Sequence, residues 1–246
     1  STGPALDGLI DLHQLVRTCI PISGHTRIAS AVLERESGKE YRFVPQGPTI
    51  SEREWRECLD RVTEADCGTM VMSGSLPPGV PDDFYARVTR ILQPRGIELV
   101  LDSSGPALMQ GIDAGSLWLV KPSQGELQNY VGRTLETPEE IGKEAMRIVE
   151  AGKARLVAVT MGHEGAVLAR KDGPLFLPAL KIEAASAVGA GDSFVAGMLF
   201  ALHAGQSEAE AFRFGVASGS AAVLRAGTGL AHPADIKRLL EQVQPL

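Results

Sequence analysis

Between Thr69 and Val159 the chain repeats one pattern: a short apolar run, then a polar or glycine-rich cluster, then in most cases a helical stretch. The runs are Thr69 to Met72, Ile97 to Leu101, Leu117 to Val120 and Arg155 to Val159. Such short apolar runs read as strands buried on both faces, with helices between them supplying the cover. The pattern restricts the chain to an α/β fold with a mostly parallel sheet. The clusters that follow the runs begin Ser73-Gly74-Ser75, Asp102-Ser103-Ser104, Lys121-Pro122-Ser123 and Thr160-Met161-Gly162. In open sheets of this kind, ligands bind beyond the carboxyl ends of the strands, where these clusters fall. One such cluster is a loop; four in succession describe a polar rim with backbone donors, suited to a phosphate-rich ligand.

Helical signals frame the runs. Ser1 to Val16 is expected to be helical, with Leu6, Leu9, Ile10 and Val16 near one face. Thr26 to Leu33 and Glu40 to Val44 read as two strands joined by a turn over Glu36 to Lys39. Ser51 and Glu54 form a capping box for a helix to Val62, and Asp82 to Gln93 is a further helix. Thr137, with Glu140 three residues on, caps a helix from Pro138 to Ala151, ahead of Gly152. Lys171 to Pro174 turns between two short strands, Ser207 starts a helix running to about Leu224, and Pro233 starts the last helix. No linker divides the chain, and 246 residues at 44% apolar can bury one full core.

Several function classes are disfavoured. Net charge is −6 with dispersed Lys and Arg, so no nucleic-acid partner is expected. No apolar run approaches 18 residues, and the N-terminus shows no charged n-region or apolar h-region, so neither a membrane span nor a secretory signal is expected. Three Cys without C-x-x-C spacing fit reduced thiols in a cytoplasmic protein, and five His show no metal-ligand spacing.

The densest chemistry lies at Val188-Gly189-Ala190-Gly191-Asp192-Ser193, between an extended segment and a helix expected from Ser193 to Ala204. Two glycines let backbone N–H groups converge, and the helix start adds positive partial charge. A row of donors suits a transferring phosphoryl group, and a carboxylate beside it suits taking a proton from an attacking hydroxyl. The simpler reading is a glycine turn whose Asp caps a helix.

Ala187 to Phe194 resembles the C-terminal signature of the PfkB/ribokinase family of carbohydrate kinases, and the likeness runs the length of the chain, closest to the PfkB-type hexose-phosphate kinases. The resemblance implies a ribokinase-like three-layer α/β/α fold, with a mostly parallel sheet and a small β lid over about residues 26–46. It further implies phosphoryl transfer from ATP to a sugar phosphate, most closely fructose 6-phosphate to fructose 1,6-bisphosphate. Asp192 matches the family's catalytic base, and Gly189, Ala190 and Gly191 its anion hole. Arg27 of a Thr-Arg pair and Ser75 match sugar-side positions. An Arg at that place could clasp a sugar phosphate through paired N–H donors, although taken alone it is an ordinary solvated residue.

Lys121-Pro122-Ser123-x-x-Glu126 matches Lys-Pro-Asn-x-x-Glu, which organises Mg²⁺ around the ATP phosphates; Ser123 stands where the family has Asn, and Ser is a weaker ligand. Glu126 would hold Mg²⁺ through water; its alternative is a first-turn glutamate that stabilises its own helix. Thr160-x-Gly162-x-x-Gly165 matches the nucleotide loop, and Ser220 lies in a small-residue helix that borders the adenine in relatives. Ser186, Val188, Ala222 and Gly227 match a monovalent-cation site built from backbone carbonyls, for which K⁺ is the family's ion. Asp102 also falls in a family-like segment, with helix capping as its equal alternative.

The family's first strands and its glycine-rich GG-x-x-N sugar segment normally precede the first helix, and this sequence carries no counterpart. The expectation is therefore one domain over residues 1–246 lacking its N-terminal strands, inactive as that piece alone, with a homodimer formed through the lid. Other acceptors stay open: fructose 1-phosphate, tagatose 6-phosphate, an unphosphorylated sugar or a nucleoside. So does a kinase-like protein that binds nucleotide or sugar without turnover.

Overall fold

The computed structural model describes residues 2–37 and 40–244. Six strands form one sheet, in the order β3 (Thr69–Ser73), β4 (Glu98–Asp102), β5 (Leu117–Val120), β6 (Ala154–Thr160), β7 (Gly165–Arg170) and β8 (Gly173–Pro178). The first four are parallel, and β7 and β8 close the sheet antiparallel. The period of two along each strand divides the apolar residues between two cores. Leu99, Leu101, Val157 and Val159 face α3 (Phe84–Leu92), α4 (Gly105–Ala114), α5 (Gln124–Val131) and α6 (Pro138–Glu150). Val100, Leu119, Leu156 and Ala158 face α7 (Ala190–His203), α8 (Glu208–Val223) and α9 (Pro233–Leu240). The result is three layers, helix on sheet on helix, as the sequence led us to expect.

Local signals fix several boundaries. Ser51 and Ser123 each head a reciprocal capping box, and Thr137 and Ser207 accept from the N3 amides of α6 and α8. β5 occupies the expected residues. β3 departs from the buried strand expected: Val71 is exposed, because β3 ends the six-stranded order and pairs only with β4 among the described residues.

α1 (Thr2–Leu12) stops four residues before Val16, and Leu6, Leu9 and Val16 are exposed rather than gathered against a core. α2 (Glu52–Glu64) buries Glu54 and Trp55. The two-stranded sheet is shorter than expected: β1 (Ser30–Leu33) pairs with β2 (Glu40–Phe43), starting at Ser30↔Phe43. The ladder cannot extend far below that pair, because Pro45 has no N–H to donate. Arg27 therefore precedes the strand instead of starting it. The turn expected over Glu36 to Lys39 falls partly outside the described residues. The extended segment Ile182 to Ala187 joins no strand; Ala185 N and Ser186 N instead donate to Val223 O at 2.7 and 3.3 Å.

Candidate active site

Each parallel strand delivers its polar cluster to the same edge of the sheet. Register pairs Ser73 with Asp102 and Leu101 with Val120. Gly74 N donates to Asp102 O at 2.9 Å, and Lys121 N to Leu101 O at 3.0 Å. Gly74 O accepts from Tyr85 Oη at 2.8 Å and from Ser103 Oγ at 2.9 Å. An isolated parallel bridge, Ser123↔Thr160, and Thr160 N donating to Pro122 O at 3.1 Å bring the next two clusters together.

The central motif is built differently from the sequence reading. Gly189 is left-handed at φ 76°, and α7 begins at Ala190, three residues earlier than expected. Ser193 N makes the first helical bond, to Gly189 O at 2.9 Å. The amides of Ala190, Gly191 and Asp192 therefore fall in the first turn, where a helix has no intrahelical acceptor for them. Asp192 makes no cap bond, so the simple capping reading fails: the N-cap is Gly189, and the exposed Asp192 carboxylate stands at N3. α8 lies close alongside, since a Cβ on Gly219 would come within 3.0 Å of Ala190 O.

A cavity of about 400 Å³ opens beside this turn, and it brings together Ala190, Gly191, Thr160, Gly162, Gly165 and Ser220. Apolar side chains, among them Leu180, Ile182, Phe194, Val216 and Val223, form much of its wall, and His163 also lines it. Sequence reasoning missed His163 and the apolar wall. Gly165 closes the loop: its carbonyl accepts from Met161 N at 2.8 Å, and it holds φ 124° and ψ −141°.

Lys121 and Ser123 do not line the cavity. Lys121 is buried, with Nζ 3.0 Å from Asp102 Oδ1. A Cβ on Gly191 would meet that ammonium at 3.4 Å, an ordinary contact, so the Lys121 side chain reaches the first turn of α7. Asp102 therefore pairs with Lys121 and is not the cap of α4, whose N-cap is Ser104. Burial pushes the Asp102 carboxyl up, Lys121 opposes it, and the charges of Asp192 and Glu126 push the same way as burial.

Ser123 Oγ accepts from Glu126 N at 3.3 Å, and Glu126 Oε2 accepts from Ser123 N at 2.7 Å. The helix-stabilising alternative for Glu126 is thus realised, with Oε1 left for other use. Among the described residues no group of three His, Cys, Asp or Glu could hold a metal ion. Ser186 is buried and its Oγ accepts from Val188 N at 3.2 Å. Its own amide ties it to the end of α8, just before Gly227 at φ 60°. Ala222 O accepts from Arg225 N at 3.0 Å.

On the other side, Arg27 Nη1 donates to Pro45 O at 3.5 Å. A Cβ on Gly47 would lie 3.7 Å from Arg27 Cδ and 3.8 Å from Pro77 Cβ, so Arg27 and the Ser75–Pro77 loop approach each other there. Ser75 is exposed. Ser23 N donates to Glu54 Oε1 at 2.6 Å, which anchors the segment leading to Arg27.

Residues 9–235 match the model of the pfkB family carbohydrate kinases. The chain belongs to that family. Among its pfkB relatives, the ATP-dependent 6-phosphofructokinase isozyme 2 of Escherichia coli K12 is 37% identical over 240 residues, covering 97% of this chain and 78% of the relative. The 1-phosphofructokinase of Bacillus subtilis 168 is 34% identical, covering 81% of this chain and 65% of the relative. The crystal structure of phosphofructokinase-2 from E. coli in complex with potassium superposes with a TM-score of 0.93 at 36% identity, covering 98% of this chain and 79% of that one. The fold is the ribokinase-like α/β fold of this family.

Proposed function

We propose that this pfkB-family carbohydrate kinase transfers the γ-phosphoryl group of ATP to a hydroxyl of fructose 6-phosphate, giving fructose 1,6-bisphosphate. One observation carries the reading: the uncapped Asp192 stands in the first turn of α7, and its neighbours Ala190 and Gly191 line the same cavity as Thr160, Gly162, Gly165 and Ser220, although Asp192 itself does not. The 37% identity with an ATP-dependent 6-phosphofructokinase supports the acceptor.

In this reading the apolar walls of the cavity take the base of ATP, and Thr160 with the glycine loop takes its phosphates. Asp192 accepts the proton of the attacking hydroxyl. The amides of Ala190, Gly191 and Asp192 hold the charge spread over the transferring group, since positioning and electrostatics carry most of this chemistry. Arg27 clasps the phosphate of the acceptor, with Ser75 beside it, under the hairpin as a lid.

The residues present fit Mg²⁺. Glu126 keeps one carboxylate oxygen outside its cap, and this ion takes one or two carboxylates, keeping waters and substrate phosphates for the rest. When bound, Mg²⁺ neutralises charge on the phosphate oxygens. The backbone around Ser186, Val188, Ala222 and Gly227 would hold K⁺. Exposed Val32, Tyr41 and Phe43 on the hairpin support a homodimer through the lid. Among the described residues no helix is long and apolar enough to cross a membrane, and we place the enzyme in the cytoplasm.

The likeness to a 1-phosphofructokinase keeps fructose 1-phosphate as the second acceptor. ADP release by the full-length protein, across fructose 6-phosphate, fructose 1-phosphate, tagatose 6-phosphate and unphosphorylated fructose, decides. The highest kcat/KM is expected with fructose 6-phosphate. A higher value with another sugar replaces the acceptor, and no release with any of them, despite ADP binding, replaces the kinase by a binding protein.

A further inference from the structure

His203 is the last residue of α7, the helix whose first turn carries Asp192 about 20 Å away at its other end. It takes no part in the candidate active site. Its ring instead meets three strands at their amino ends: Thr69 opens β3, Glu98 opens β4, and Trp118 is the second residue of β5. Thr69 Oγ1 lies 2.9 Å from Nε2 and 3.2 Å from Glu98 Oε2, and Leu199 O lies 2.8 Å from Nδ1. The Trp118 ring packs perpendicular to the imidazole, with centroids 5.5 Å apart. Of the side chains that β3, β4 and β5 bring to the ring, only Glu98 titrates, and its Oε2 is 3.9 Å from Nε2.

The protons along this chain of contacts can be counted. Leu199 O is a carbonyl and only accepts, so Nδ1 carries a proton. An ionised Glu98 carboxylate also only accepts, so the single hydroxyl proton of Thr69 goes to it. Thr69 Oγ1 then has only lone pairs to offer, and Nε2 must donate. All three hydrogen bonds are made together only when both ring nitrogens hold protons. A neutral ring, with its proton on Nδ1, takes the Thr69 hydroxyl for itself and leaves Glu98 without it. The protonated ring also sets positive charge at the carboxyl end of a helix and near a carboxylate, where each interaction is favourable.

We infer that His203 is a proton-operated latch: as imidazolium it ties the carboxyl end of α7, through the Thr69 hydroxyl, to Glu98, and so fastens the helix that carries Asp192 to β3 and β4. Loss of the proton breaks one link of the chain. A contact made by the protonated ring stabilises the fold while the proton is bound and is lost as pH rises. The latch lies apart from the nucleotide and sugar sides and holds whichever acceptor the enzyme uses.

The test follows Tm of the full-length protein by differential scanning fluorimetry from about pH 8.5 to about pH 5.5, a range that spans imidazole titration and stays above that of ordinary carboxylates. The wild type is compared with His203→Gln, whose side chain still forms hydrogen bonds but gains no charge. The same comparison is made in Glu98→Gln and in Thr69→Val backgrounds. Both His203 and Glu98 are about half exposed, so the effect is small but measurable. The advantage of the wild type over His203→Gln is expected to grow by about 1–4 °C from the alkaline to the acid end. In each of the two other backgrounds the effect of His203→Gln is expected to change little with pH. An advantage equal at both ends overturns the inference in favour of a neutral ring that only packs. Full growth in the Glu98→Gln background overturns it in favour of the helix end acting alone. Full growth in the Thr69→Val background overturns it in favour of a direct ion pair without the hydroxyl.

Discussion

Replacing Gly165 by Ala tests how the nucleotide loop is held. Gly165 sits where the loop returns into β7, paired with Pro178 across the ladder. A Cβ there would lie 2.1 Å from Leu177 O, 2.8 Å from Pro178 Cα and 2.9 Å from Ala179 N. All three are backbone atoms, so no side chain can swing aside. The φ of 124° adds strain of about 1–3 kcal/mol for any residue but glycine, and relieving the clash adds about 1–3 kcal/mol, as overpacking does. A total of about 4 kcal/mol, in a chain of this size, lowers Tm by about 8–16 °C.

Gly162→Ala is the control. Gly162 is left-handed at φ 59°, but a Cβ there meets nothing within 4 Å. Its cost is the left-handed penalty alone, about 1–2 kcal/mol, which corresponds to about 2–8 °C. Differential scanning fluorimetry reads both variants, and titration with ADP reads the loop. Gly165→Ala is expected to weaken ADP at least about tenfold, because its carbonyl no longer meets Met161 N. A Gly165→Ala shift no larger than that of Gly162→Ala would refute the packing argument.

Two further outcomes follow from the caps. Glu54 accepts from Ser51 N and Ser23 N, which hold its carboxyl down at about 2. A depressed folded value means that its stabilisation is complete above the ordinary value of 4.5 and is lost as pH falls from there towards 2. The Tm deficit of Glu54→Gln should therefore be full at pH 7 and shrink over that acid range; a deficit that grows on acidification contradicts the assignment. Ser123→Ala removes the α5 cap at about 1 kcal/mol, or about 2–4 °C in Tm, whereas Ser123→Asp keeps it; equal losses in both variants would dismiss the cap.

The features legible in the sequence were those written locally. Ser51 with Glu54, Thr137 with Glu140 and Ser207 with Glu210 fix helix starts within three residues. The run Leu117 to Val120 has no strand-like competitor nearby. What the sequence could not carry was contact between segments far apart in the chain. Asp102 and Lys121 are separated by a whole helix, and only parallel register sets them side by side.

The start of α7 was not legible either. Gly191 reads as a second turn residue, but of the two glycines Gly189 alone is left-handed, and Gly191 already lies within α7. Arg27 was placed on a strand because the alternation begins there, while the missing donor of Pro45, on the partner segment, decides where the ladder ends. The apolar wall of the cavity, Leu180, Ile182, Val216 and Val223, comes from two stretches whose hydropathy is indistinguishable from core.

The central claim is that Asp192 is the base, and the most direct measurement is turnover of Asp192→Asn in the full-length protein, with ADP binding measured on the same sample. The variant keeps the size of the side chain and leaves the α7 amides in place. The account predicts a kcat lower by at least about 10²-fold, the range of general-base catalysis, with ADP affinity within about threefold of the wild type. Turnover near the wild-type rate, with binding intact, would contradict it.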